Sequence, residues 1–128
     1  MQRLIDIGFE QVGKWYLKDD KIAFDVTSSG KTNILYAYII DSEVMYVGVS
    51  SRTLKERLTN YKNADVSQKT NWRINNTIRN SLMAGKQVLI YEYSHDSNIN
   101  IGVFKVDISA GLEQSIIQII NPQWNIQK

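Results

Sequence analysis

Apolar residues crowd two short runs in the first half of the chain, 34–40 (ILYAYII) and 44–49 (VMYVGV), on either side of the polar Asp41-Ser42-Glu43. β-Branched and aromatic residues at that density predict two strands joined by a three-residue turn. Upstream, residues 1–10 read as a short helix. Residues 14–24, with Asp19-Asp20 between two apolar clusters, read as a hairpin. Downstream the period changes. Leu54, Leu58 and Tyr61 recur at helical spacing over 52–62, with Ser51 as N-cap, and Trp72, Ile74, Ile78 and Leu82 do so over 71–84, stopped at Gly85. Residues 87–93 form a third long strand and 101–106 a short fourth. A last helix starts at Asp107 or Ser109 and runs to about Ile120, where Pro122 ends it. Strands and helices on about equal terms predict a small α/β (α+β) domain.

A length of 128 residues gives room for one domain, 1–128, with 1–30 as an N-terminal helix and hairpin extension and 34–125 as the core. The absence of cysteine excludes disulfide scaffolds, thiolate zinc sites and cysteine nucleophiles. The single histidine, His95, removes sites built on two histidines and reads as a surface loop residue beside Asp96. No apolar run is long enough for a membrane span, and a cytoplasmic protein is expected. The net charge of +2 is unevenly spread: residues 51–90 hold eight Lys or Arg against Glu56 and Asp65, whereas both ends are mildly acidic. A basic middle third is either a polyanion footprint or a solvated surface.

Side chains alternate across a strand, so the two faces of 34–49 are readable separately. Leu35, Ala37, Ile39, Met45, Val47 and Val49 make a wholly apolar face that should lie on the core. Ile34, Tyr36, Tyr38, Ile40, Val44, Tyr46 and Gly48 make the other. A turn centred on Ser42 sets Tyr38 opposite Tyr46, and Gly48 opposite Tyr36, leaving that ring free of a side-chain neighbour. Two readings of these tyrosines stand: amphipathic sheet residues with their hydroxyls in water, or part of a site. Arg57 and Tyr61 are i, i+4 neighbours beside the buried stripe of the next helix, and an Arg there serves either as a surface residue or as a fork of donors for phosphate. Glu113 precedes Ile116, Ile117 and Ile120 on an otherwise apolar helical face, which is costly for a carboxylate without a partner or a metal. A partner amide or a nearby Arg would account for it equally well.

Taken together, Ile34-Leu35-Tyr36, Tyr46-Val47-Gly48 ten residues later, Leu54…Arg57…Tyr61, Glu113 and the terminal Asn121-Pro122…Asn125 resemble the GIY-YIG nuclease family, above all its compact phage members. Two positions depart from the pattern: Ile34 stands where the family has glycine, and Met45 stands where some members have a lysine that assists the base. The resemblance implies a central three-stranded antiparallel sheet flanked by helices. It also implies a metal-dependent DNA endonuclease, phage or restriction-type, that leaves 5′-phosphate and 3′-hydroxyl ends. Alternatives are a catalytically silent DNA-binding module and a structure-specific repair nuclease.

In the roles carried by the resemblance, Tyr36 is the general base and Arg57 binds the scissile phosphate. Tyr46 and Tyr61 position water or phosphate, Asn125 braces the site, and Glu113 is the sole carboxylate ligand of one Mg²⁺ or Mn²⁺ ion. A tyrosine with an ordinary pKa near 10 needs a cationic neighbourhood for such a role. Lys55, Lys62, Lys69, Arg73, Arg79 and Lys86 would hold the backbone of double-stranded DNA. Any specificity would come from the 62–73 loop, the second helix or the N-terminal hairpin. A homo-oligomer, dimer or tetramer, would cut both strands.

Overall fold

The computed structural model describes residues 1–95 and 99–126; Asp96, read above as the loop neighbour of His95, lies outside them. The chain opens with α1 (Gln2–Ile7), which ends at Gly8 in the left-handed region (φ 118°), short of the 1–10 expected. The hairpin is longer than expected, with strands β1 (Glu10–Lys18) and β2 (Lys21–Val26). Asp19 and Asp20 both take positive φ, the conformation of a two-residue hairpin turn matched to strand twist. Then follow β3 (Ile34–Ile40), β4 (Glu43–Ser50), α2 (Leu54–Lys62), α3 (Lys69–Met83), β5 (Val88–Tyr93), β6 (Ile99–Ile101), β7 (Phe104–Val106) and α4 (Ile108–Ile120). The 101–106 strand is instead half of a small hairpin, β6 against β7, that turns at Gly102 (φ 62°).

Helix starts follow the local chemistry. Thr53, not Ser51, caps α2, with a reciprocal box in which Thr53 accepts from the Glu56 amide and Glu56 accepts from the Thr53 amide. Asp107 caps α4 by accepting from the Ala110 amide. Ser109, the other candidate cap, is buried and donates to the Asn33 carbonyl (2.8 Å).

The main sheet has five strands, in the order β2-β1-β5-β3-β4, not three. β5 enters between β3 and β1 and is antiparallel to both, so the N-terminal hairpin completes the sheet and is not an appendage to it. Pairing on both sides satisfies the amides and carbonyls that β5 would otherwise expose, and it buries Trp15 of β1.

Both sheet faces are covered. α1 and α4 pack over Leu35, Ala37, Ile39 and Val47, while α2, α3 and Trp124 pack over Ile34, Tyr36, Tyr38 and Tyr46. The tyrosine face is therefore a second core, and the reading with hydroxyls in water is corrected. The β3–β4 turn is also tighter than expected. Asp41 and Ser42 alone make it, both at positive φ, and Ile40 pairs with Glu43. Tyr38 still faces Tyr46 and Tyr36 still faces Gly48, because an extra residue at Met45 bulges out of β4. One bulged residue reverses the faces on its turn side, so Met45 joins the tyrosine core and Val44 the opposite one, the reverse of the expected assignment.

Candidate active site

β3 and β4 present Tyr36, Tyr38 and Tyr46 side by side on one face, and α2 lays Tyr61 over them. The rings of Tyr38 and Tyr46 stack at 5.7 Å, and those of Tyr36 and Tyr61 meet edge-on at 6.1 Å. Tyr36 fits only because Gly48 faces it across the strand pair. A Cβ at residue 48 would run into the Tyr36 Cζ and hydroxyl, and the ring, 1% exposed, has nowhere to retreat. Gly48→Ala is expected to lower stability by about 1–3 kcal/mol through overpacking, read as a drop in melting temperature, and to displace the Tyr36 hydroxyl.

Arg57, one turn before Tyr61 on α2, enters this cluster. Its Nε donates to the Tyr36 hydroxyl (3.1 Å), and its Nη2 donates to the Tyr61 hydroxyl (2.9 Å) and to Asn71 Oδ1 (3.1 Å). Tyr36 and Tyr61 hydroxyls lie 2.6 Å apart, and Tyr61 donates to Tyr46 (3.2 Å). A hydroxyl has one proton. Since Tyr61 gives its own to Tyr46, the proton between Tyr36 and Tyr61 belongs to Tyr36, and Tyr46 retains one for a ligand. Tyr46 lines a cavity of about 330 Å³ with Lys69, Thr70, Arg73, Asn125 and Ile126.

Electrostatics in the free protein keep these protons in place. Burial pushes the Tyr36 phenol well above its ordinary range and neighbouring Tyr46 adds to the rise, while the Arg57 charge opposes it. Burial raises Tyr38 and Tyr61 in the same way. For Arg57, burial disfavours the charge, but the oxygens of Tyr36 and Tyr61 more than offset it, so the guanidinium stays ionised.

The other two candidates sit on the outer edge of β4. Asn125 pairs with Val47 as a strand would, its Oδ1 accepting from the Val47 amide and its Nδ2 donating to the Val47 carbonyl, each at 2.9 Å. The Trp124 amide donates to the Met45 carbonyl (2.8 Å), and Arg73 Nη1 donates to the Trp124 carbonyl (2.9 Å). Glu113 reaches round from α4, on the opposite layer, and accepts from the Val49 amide. Val47 and Val49 amides on one strand are about 7 Å apart. Glu113 is half-buried, and burial raises its carboxyl above the usual range, while the Val49 hydrogen bond opposes the shift. No hydrogen bond among the described residues joins it to the tyrosine network. It is placed by Val49, next to the Gly48 on which Tyr36 rests.

Among the described residues no three His, Asp or Glu side chains gather to hold a metal. One carboxylate with a free oxygen suffices for a hard cation that keeps waters and takes substrate oxygens, and Glu113 has that character.

The six proposed backbone-binding cations do not form one patch. Lys69 and Arg73 line the Tyr46 cavity, whereas Lys62 and Arg79 line another, with Arg79 Nε donating to the Asp20 carbonyl (2.8 Å). Lys55 is exposed on α2, and Lys86 pairs with Asp41 (3.2 Å) at the β3–β4 turn. His95 is half-buried, with Nε2 3.0 Å from the Ser109 hydroxyl.

The sequence reading missed two polar residues around Tyr36, Asn71 and Glu92, and left the surroundings of Tyr38 open. Asn71 holds Arg57 from α3. The Tyr38 hydroxyl is buried beside the Trp15 indole N–H, without a formed hydrogen bond. Glu92, 5% exposed, sits opposite Tyr36 on β5 and accepts from the Ser28 hydroxyl and the Ser29 amide, both at 3.1 Å. Only Glu92 had a signal, as a lone acid within the apolar strand Val88–Tyr93.

In three dimensions the chain superposes on a mutant of bacteriophage T4 EndoII over 98% of its own length and 97% of that chain, with a TM-score of 0.76 and 21% sequence identity. The chain resembles phage T4 endonuclease II in fold. A second neighbour is the restriction endonuclease HPY188I in complex with product DNA, at TM-score 0.56 and 13% identity over 88% of this chain and 76% of that one. No protein-family model and no curated protein matches the sequence. Among the described residues no helix is long and apolar enough to cross a membrane.

Proposed function

We propose that the chain is a metal-dependent DNA endonuclease, phage or restriction-type, that hydrolyses phosphodiesters to 5′-phosphate and 3′-hydroxyl ends in the cytoplasm of a bacterial or phage-infected cell. The observation that carries this is Arg57 at the edge of a tyrosine cluster: a half-buried, permanently charged guanidinium held by the Tyr36 and Tyr61 hydroxyls is a preorganised partner for an anionic phosphate. The likeness in fold to one phage endonuclease, and to a restriction enzyme solved with its product DNA, supports the reading.

In the proposed reaction Arg57 neutralises the scissile phosphate, and Tyr46, Lys69 and Arg73 orient it from the adjoining cavity. Tyr36 takes up the proton of the attacking water. When ionised, Tyr36 is held by the Arg57 Nε, which already donates to it, and by the Tyr61 hydroxyl once that turns its proton from Tyr46 to Tyr36. Asn125 keeps β4 straight behind Tyr46. Glu113 is the residue that would hold Mg²⁺ or Mn²⁺, which supplies positive charge beside the phosphate and the departing 3′ oxygen. Two copies acting on one duplex would cut both strands. The β6–β7 hairpin, with Val103 and Phe104 92% and 72% exposed, offers apolar surface for such a pairing.

The test is plasmid cleavage with Mg²⁺ and with EDTA, over a range of pH. Cleavage should need the metal. Because the free-protein Tyr36 holds its proton above the ordinary tyrosine value, the ionised fraction, and with it the rate, should climb about tenfold per pH unit from neutral into the alkaline range. Tyr36→Phe should flatten that slope. A rate that ignores pH in the unaltered protein would remove Tyr36 as the base, and intact plasmid under all conditions would remove the nuclease.

A further inference from the structure

Beyond the cluster around Arg57, the junction of α2, α3 and the β1–β2 hairpin encloses a separate cavity of about 510 Å³, within the range of ligand pockets. Its walls include Trp72, Lys21, Lys62, Arg79 and the amides Asn63 and Asn76. Of the three tryptophans, Trp15 and Trp124 are buried, whereas Trp72 is 40% exposed. No other aromatic ring stacks on Trp72 among the described residues, and its neighbour Asn71 is the residue that holds Arg57. A large exposed indole among cations, with Asp20 the one carboxylate in the wall, is suited to an aromatic anion. Asn76 donates to the Trp72 carbonyl (3.0 Å), which leaves its side-chain oxygen as an acceptor for the amino group of a base.

We infer that this cavity binds one nucleotide of a strand outside the base stack, with the base on the Trp72 ring and the flanking phosphates on Lys21 and Lys62. The inference rests on the nuclease reading and adds to it a subsite for unpaired nucleic acid, set one residue along α3 from the Arg57 cluster. A base inside a duplex has no free face, so only single-stranded or extruded nucleotides qualify.

Metal-free protein, which cannot cleave, is titrated with a short single-stranded oligonucleotide and with the matching duplex. Trp72 is the exposed indole, so the single strand should quench tryptophan fluorescence. Trp72→Ala should weaken single-strand binding, followed by anisotropy, by about tenfold or more while duplex binding holds, and Trp72→Phe should restore most of the loss. Replacing Lys21 and Lys62 together by Gln should flatten the single-strand salt slope by about 1.4. Unchanged single-strand affinity in Trp72→Ala, with plasmid still cut by that variant in Mg²⁺, would overturn the subsite and leave the nuclease standing. Absence of any binding or cleavage by the unaltered protein would overturn both.

Discussion

Glu113→Gln is expected to lose plasmid cleavage by at least about a thousandfold while binding DNA as tightly as the unaltered protein. Gln keeps the shape and can still accept from the Val49 amide, so β4 and α4 should stay in place. What it loses is the negative oxygen needed by a hard divalent cation, and such an ion stabilises transition-state charge by several kcal/mol. Folding and function can be separated by calorimetry. Burial raises the Glu113 carboxyl in the folded protein above its unfolded value, so its ionisation costs stability at neutral pH. That cost disappears as pH falls through the raised pKa. Glu113→Gln should therefore melt no lower than the unaltered protein at pH 7, and the unaltered protein should gain on it as the solution is acidified. A variant that still cuts, or one that is inactive only because it is unfolded, would deny Glu113 its role.

The second large effect is expected at Arg57. Arg57→Ala removes the donors to Tyr36, Tyr61 and Asn71 at once, along with the charge that opposes the rise of the Tyr36 pKa. Losing one preorganised charged donor typically costs 10²–10³ in rate, about 3–4 kcal/mol of transition-state stabilisation. The alkaline limb should also move to higher pH, because without the guanidinium the Tyr36 phenol holds its proton more tightly. Arg57→Lys should restore little, since a single ammonium cannot reach Tyr36 and Asn71 on two arms of a planar fork. Binding of duplex DNA, carried by other cations, should weaken far less than kcat. If kcat is untouched and only the melting temperature falls, Arg57 is a structural plug in the tyrosine core.

Much of this arrangement is legible in the chain, and the failures have distinct physical causes. Arg57 one turn before Tyr61 follows from the helical period, whereas Tyr36 meets Gly48 by a compensation, a turn one residue shorter than expected offset by the Met45 bulge. The exchange of Val44 and Met45 between faces does not follow, because a bulge is one residue of slack that the turn and the packing share out between them. The five-stranded sheet was missed because strand pairing is non-local: nothing within 10–26 states that β1 will lie against β5, more than 70 residues away in the chain. Asn71 was invisible for a related reason, its role arising only from the packing of α3 on α2. Exposure was misjudged where tyrosine is ambiguous, since its ring favours a core and its hydroxyl favours water, and only the covering helices decide between them.

By itself the amino-acid order determined the kinds and approximate positions of most elements, the alternation that sets Tyr36 and Tyr38 on one face of β3, and the helical spacing of Arg57 and Tyr61. Those are consequences of side-chain period, turn chemistry and capping, which act over a few residues. The tertiary structure alone decided that the tyrosine hydroxyls form a buried network under Arg57 and that Asn125 and Glu113 grip the open edge of β4. It also decided that Trp72 looks into a basic cavity. Burial and edge completion depend on what the rest of the molecule brings against each residue, and no local pattern encodes that.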